Sequence, residues 1–248
     1  DNGVNWSTAV RVNADLDPTE SLAYATVPRV AFGDSGRVFV AWADRHNGAQ
    51  DIYVRANDAP YSGASWVIGS TRLDTDTAGA AVSKFPRMVG NTAGNVFVVW
   101  QDLRNNQSDI FFNYTSNNGL NWLPTDVQLD DEGAPHDSFE SDIVLGQGNY
   151  VHVVWRDFRA GLPTVRVATS DDLGVSWGAS VVASQSTGYV SEPQIAADGA
   201  GKVFVAWADD RDGLRDIYLN FSFDDGQVFQ PVDLRMDNET AAGADDSF

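Results

Sequence analysis

The sequence has no cysteine, three histidines and two methionines. Without cysteine there is neither a disulfide framework nor a thiolate metal site. His46, His136 and His152 fall in a hairpin loop, an acidic linker and a strand, which does not suit a zinc site. No run of 18 apolar residues occurs, so no membrane-spanning helix is expected. Positive charge is scarce. Sixteen basic residues against 35 acidic ones give a net charge of -19. A field of that sign repels phosphate backbones, so nucleic acid is not an expected partner, and it favours solubility in saline or extracellular surroundings. No stretch sustains a helical period, so almost no helix is expected.

What the chain has is repetition. Four segments match: Val38 to Trp42, Val96 to Trp100, Val151 to Trp155 and Val203 to Trp207. Their tryptophans lie 58, 55 and 52 residues apart. Each segment is rich in β-branched and aromatic residues and apolar on both faces, which predicts a strand covered on both sides. The tryptophans are therefore expected to be buried between sheets. After each comes a turn pattern: Asp44-Arg45-His46, Asp102-Leu103-Arg104, Asp157-Phe158-Arg159 and Asp209-Asp210-Arg211. These acid–base pairs are expected to be hairpin salt bridges. A further strand begins nine residues after every tryptophan, at Asp51, Asp109, Thr164 and Asp216. Strands starting near Val27, Phe85, Glu140 and Glu192 precede the tryptophans, and weak fourth strands follow, as at Thr71-Arg72-Leu73 and Val127-Gln128-Leu129. Four antiparallel strands per repeat make one blade of a β-propeller.

The turn after the third strand carries a motif. Ser170-Asp171-Asp172-Leu173-Gly174-Val175-Ser176-Trp177 fits S-x-D-x-G-x-[ST]-W throughout. Ser222, Asp224, Gly226 and Phe229 form a second copy, and Thr115, Asn117, Gly119 and Trp122 a third. Asp1, Gly3 and Trp6 form the tail of a fourth, while Asn57 to Trp66 keeps mainly the tryptophan. The chain thus resembles, over nearly its whole length, the sialidase-like Asp-box (BNR-repeat) propellers, which include many secreted bacterial proteins. In that family the box is structural and lies away from the active site. The resemblance makes Asp1, Asn117, Asp172 and Asp224 turn pins, with the acid accepting turn amides and the glycine supplying positive φ.

The expected fold is all-β, a single domain spanning 1–248. Four complete blades lie at approximately 25–76, 83–131, 138–184 and 190–237. The two ends of a split blade lie at 1–18 and 239–248. The first residue falls inside a motif, so the N-terminus reads as cut. The closing blade is expected to be completed by missing sequence or by another copy.

Sialidases of the resembled family use an arginine triad, a tyrosine nucleophile paired with glutamate, an aspartate acid/base and an R-I-P motif. No R-I-P occurs here. Tyr24 (with Glu20) and Tyr189 (with Glu192) are the only tyrosines to inspect as nucleophiles, and no catalytic residue is assigned. Arg29, Arg87, Asp142 and Gln194 occupy one column of the first strands, nearest the propeller axis. They either satisfy one another between blades or form a polar funnel for a sugar or anion. Asp15, Asp17, Asp74 and Asp76 repeat an acidic D-x-D pattern in two linkers, which could supply oxygen ligands to calcium. The expected function is that of a non-catalytic extracellular bacterial module that recognises a glycan or another protein, or serves as a scaffold. The alternative is a sialidase-type glycoside hydrolase lacking part of its ring.

Overall fold

The four apolar tryptophan segments become the second strands of four separate antiparallel sheets. A computed structural model describes residues 9–13, 25–58, 66, 69–131 and 135–237. Blade 1 contains β1 (Thr26–Phe32), β2 (Val38–Asp44), β3 (Asp51–Asn57) and β4 (Thr71–Arg72). Blade 2 contains β5 (Ser83–Gly90), β6 (Val96–Asp102), β7 (Asp109–Thr115) and β8 (Val127–Gln128). Blade 3 contains β9 (Ser138–Leu145), β10 (Val151–Asp157), β11 (Thr164–Ser170) and β12 (Val181–Val182). Blade 4 contains β13 (Val190–Ala197), β14 (Val203–Asp209), β15 (Asp216–Ser222) and β16 (Leu234–Arg235). Within each blade the strands pair in sequence order, as consecutive hairpins require. Every third strand starts at the nine-residue offset. Among the described residues helix is confined to one 3-10 turn, Asp34–Gly36. The fold is an all-β propeller of four-stranded blades.

The blades stack through their faces, and three apolar layers hold them. Phe39, Ile52, Val54 and Leu73 of blade 1 meet Val96, Val98 and Trp100 of blade 2. Phe97, Val99 and Phe112 of blade 2 meet Val151, Val153 and Trp155 of blade 3. Val154, Val165 and Val167 of blade 3 meet Val203, Val205 and Trp207 of blade 4. All four tryptophans are buried, as strands apolar on both faces require. The two outer faces differ. Met236 of blade 4 is 52% exposed, whereas its counterparts Leu73 and Leu129 are 1% and 6% exposed. Val30 of blade 1 is 63% exposed, against 7% and 9% for Ile143 and Ile195. No further described sheet covers these faces. Of the two terminal segments expected to form a split blade, only residues 9–13 are described. Val12 offers its carbonyl to the Arg55 guanidinium, and the Asn13 amide donates to Asp44.

The hairpin after each tryptophan closes on one network. Residues two apart in a strand share a face, so each indole Nε1 donates to the aspartate two residues on. The distances are 3.1 Å for Trp42 to Asp44 and 3.0 Å for Trp100 to Asp102, Trp155 to Asp157 and Trp207 to Asp209. Those carboxylates also accept the amides of His46, Arg104, Arg159 and Arg211. Arg104 lies 2.6 Å from Asp102 and 2.6 Å from Asp126, and Arg211 repeats this with Asp209 and Asp233. All four hairpin aspartates are fully buried. The pairs are therefore not exposed salt bridges but the polar centre of each hairpin. Burial raises the pKa values of Asp102, Asp157 and Asp209, but the arginine and indole hydrogen bonds outweigh it and hold them below the usual carboxylate value.

The Asp-box turns share a second network. Ser170 donates to Asp172 at 2.8 Å and accepts the Gly174 amide at 2.8 Å, while Asp172 accepts the Ser176 amide at 2.8 Å. Asp224 and Asn117 accept the amides of Val228 and Asn121 in the same way. Gly174 has φ +82, and a Cβ there would stand 2.6 Å from the Phe112 ring, so both backbone and space demand glycine. Asp1 lies outside the described residues.

Candidate functional site

A register irregularity repeats on every first strand. Thr26 pairs with Ala43 and Arg29 with Ala41, so Val27 and Pro28 together oppose Trp42. Phe85 and Pro86 oppose Trp100, Glu140 and Ser141 oppose Trp155, and Glu192 and Pro193 oppose Trp207. Two residues against one is a β-bulge. Its first residue is left-handed in every blade: Val27 at φ 53, Phe85 at 55, Glu140 at 57 and Glu192 at 55. None is glycine, and a β-branched valine there is a true outlier. Such positions cost on the order of 1–3 kcal/mol each and persist where the surroundings over-determine them. In each blade the bulge stands opposite a buried tryptophan. No turn residue marks these positions in the sequence.

The four bulges converge on one cleft of about 510 Å³. Arg29, Arg87 and Gln194, three of the column residues expected from the sequence, line it. Asp142 does not. It accepts the Ile195 amide at 3.3 Å and stands 3.9 Å from the Arg87 guanidinium. The structure adds Lys84, Phe85, Glu140, Ser141, Arg156 and Glu192 to the lining.

The cleft has two unlike walls. Blades 1 and 2 contribute Arg29, Arg87 and Lys84 together with the apolar Val27 and Phe85. Burial and the neighbouring Arg29 charge lower the pKa of Arg87, with Asp142 opposing them. Arg29 donates to the Pro28 carbonyl, and among the described residues neither it nor Lys84 has an ion-pair partner. Blades 3 and 4 contribute Glu140 and Glu192. Glu140 is held by Arg156 at 3.1 Å and accepts the Glu192 amide at 2.7 Å. Arg156 itself lies over the rings of Phe139, Phe158 and Tyr189. The Tyr189 hydroxyl accepts a hydrogen bond from Arg156 at 3.1 Å. Tyr24 lies outside the described residues.

Two of the four linker aspartates expected to hold calcium, Asp15 and Asp17, lie outside the described residues. Asp74 and Asp76 come together with Asp51, with carboxylate oxygens within 4.8 Å of one another. The Arg72 guanidinium reaches all three, at 3.5 Å from Asp51, 3.0 Å from Asp74 and in a short contact with Asp76. Calcium would have to share this cluster with Arg72 or displace it.

No protein-family model and no curated protein matches the chain. Solved structures do. A Hadza microbial sialidase superposes with a TM-score of 0.61 at 12% identity, over 83% of this chain and 45% of its own. An ulvan lyase bound to -[GlcA(1-4)Rha3S]- gives 0.63 at 13% identity, over 87% and 57%. An α-L-arabinanase of Penicillium chrysogenum complexed with arabinobiose gives 0.60 at 13% identity, over 86% and 66%. The chain spans less than two thirds of the length of each. At these identities the likeness is one of fold. Among the described residues no helix is long and apolar enough to cross a membrane.

Proposed function

We propose that this propeller is a non-catalytic recognition module of an extracellular protein and binds an acidic glycan in its axial cleft. The observation that carries the reading is the cationic wall. In a chain of net charge -19, Arg29, Arg87 and Lys84 gather in one cleft, and two of them are without an ion pair among the described residues. Guanidinium groups match planar carboxylates and sulfates. The apolar Phe85 beside them suits the face of a sugar ring, and the opposite glutamates suit its hydroxyls. Solved relatives of the fold that act on or hold carbohydrate give this reading support by analogy alone.

The test is calorimetric titration with 3′-sialyllactose, trigalacturonate and neutral cellotriose. The acidic probes bind and cellotriose does not. Arg29→Ala and Arg87→Ala each weaken binding about tenfold or more, the scale of one charge-assisted hydrogen bond. Equal binding of neutral and acidic probes would remove the proposal. A sialidase-type hydrolase is the second reading, and Tyr189 beside Arg156 at the cleft is what favours it. Turnover of a fluorogenic sialoside, abolished by Tyr189→Phe, would establish it in place of the module.

A further inference from the structure

The four bulges are one backbone with four side-chain sets, and their second position breaks pattern once. Blades 1, 2 and 4 place Pro28, Pro86 and Pro193 there, whereas blade 3 places Ser141. Proline suits a bulge because its ring fixes φ and the ladder needs no N–H at that point. A serine gives up that stiffening. It brings an N–H and a hydroxyl to the wall where the other blades have neither.

Ser141 is 3% exposed, and its Oγ is buried without a hydrogen-bond partner. A buried orphan hydroxyl is a net cost to the fold and calls for a reason. Ser138 and Ser191 are orphaned in the same way, but neither lines the cleft, and Ser141 does. Its position is fixed on both sides. Glu140 before it is clamped by Arg156 and the Glu192 amide, and Asp142 after it accepts the Ile195 amide beside Arg87. Ser141 is therefore held in place in the cleft wall, next to the strand position that faces Arg87.

We infer that Ser141 is the specificity-determining residue of the cleft: its hydroxyl donates to an oxygen of a sugar acid whose acidic group Arg29 and Arg87 hold. This rests on the acidic-glycan reading. The two arginines supply charge, which any anion satisfies. The serine supplies a directed donor, which separates a sugar acid with an oxygen at the right place from a simple anion. A site built to hydrogen-bond one oxygen discriminates strongly against ligands lacking it, because its own polar group is then left unpaired.

Ser141→Ala removes the hydroxyl, Ser141→Pro installs the residue of the other three blades, and Ser141→Thr keeps the hydroxyl. All are titrated calorimetrically with 3′-sialyllactose and trigalacturonate, with acetate as the simple anion, and all are melted. The expected result is a loss of about tenfold in affinity for the better acidic probe in the Ala and Pro variants. The Thr variant binds close to wild type, and acetate binding is unchanged in all. The melting temperature of the Ala and Pro variants holds or rises, because an unsatisfied group has been removed. Failure of wild type to bind either acidic probe overturns the acidic-glycan reading and this inference with it. Binding to wild type with unchanged affinity in the Ala and Pro variants overturns the inference alone. So does a loss of affinity that comes with a lower melting temperature, which marks Ser141 as structural.

Discussion

At the hairpin end of the blades, four indoles donate to four buried aspartates in one geometry. At the axial end, four bulges share one backbone, yet Val-Pro-Arg, Phe-Pro-Arg, Glu-Ser-Asp and Glu-Pro-Gln occupy it. The four blades are four answers to the same packing problem. Where backbone and side chains both repeat, the side chains solve that problem. Where the backbone repeats and the side chains diverge, packing does not dictate them. The cleft is the axial end of this comparison, which is why its side chains are proposed as ligand contacts, whereas the tryptophans are buried core.

The sharpest way to break the comparison is to truncate one member of each end. Trp100 is fully buried between blades 1 and 2 and donates to Asp102. Trp100→Ala should cost about 3–5 kcal/mol in urea unfolding, from the cavity and from a carboxylate that loses a donor. Arg29 is half-buried but has no ion pair among the described residues, so Arg29→Ala at the axial end should stay within about 0.5 kcal/mol of wild type, while weakening acidic-probe binding. If Arg29→Ala destabilised the fold as strongly as Trp100→Ala, the axial column would be structural.

A smaller effect is expected where the core itself departs from the repeat. Phe39, Phe97, His152 and Phe204 occupy one column of the second strands. His152 is fully buried, and its Nδ1 lies 3.0 Å from the Thr169 hydroxyl. Burial pushes its pKa down from 6.5 to about 4, with Asp225 opposing weakly. The unfolded chain therefore binds a proton near pH 6.5 that the folded chain refuses until about pH 4. Stability present above pH 6.5 is lost as the pH falls through that window, by on the order of 2–3 kcal/mol. His152→Phe removes this loss. Chemical denaturation at pH 7 and pH 4.5 should show a smaller difference in the variant than in wild type. An unchanged difference would mean that other groups carry the acid sensitivity.

Most of the blade architecture was legible because its signals are periodic. The tryptophan spacing, the nine-residue offset and strands apolar on both faces located the second and third strands and the buried indoles. The hairpin network was half legible. Asp102 and Arg104 were visible as a pair, but its burial follows from Trp100 and Asp102 sharing a face two residues apart. Arg29 and Arg87 were found from their column. Glu140, Glu192 and Phe85 were missed because their left-handed backbone is imposed by the bulge opposite a tryptophan. Valine, phenylalanine and glutamate carry no local preference for it. Ser141 had a signal that went unused, as the one non-proline after a bulge residue. Asp142 was expected from its column either to satisfy its neighbours or to line a funnel, and it stands 3.9 Å from Arg87 and accepts the Ile195 amide behind the lining.

The smallest effect expected concerns the acidic linkers. Asp51, Asp74 and Asp76 would make a dense negative site if Arg72 were elsewhere. Burial raises the Asp74 pKa to about 7, with Arg72 opposing and Asp51 adding to the rise. Blade 4 repeats the device. There Arg235 lies 3.0 Å from Asp216 and 2.5 Å from Asp237. A guanidinium is thus the resident cation in both blades. Excess chelator should move the melting temperature of the wild type by less than about 1 °C, because a ligand stabilises only as far as it binds the native state. A clear drop would instead show that a chelatable cation stabilises the native chain. Arg72→Gln sharpens the same question. It leaves three carboxylates within reach of one another and no cation, so the melting temperature should fall in chelator. Calcium at a concentration equal to its Kd should then restore about 0.4 kcal/mol, as mass action gives for half-occupied sites. If calcium restores nothing to Arg72→Gln, the carboxylates are spaced for a guanidinium and not for a metal ion.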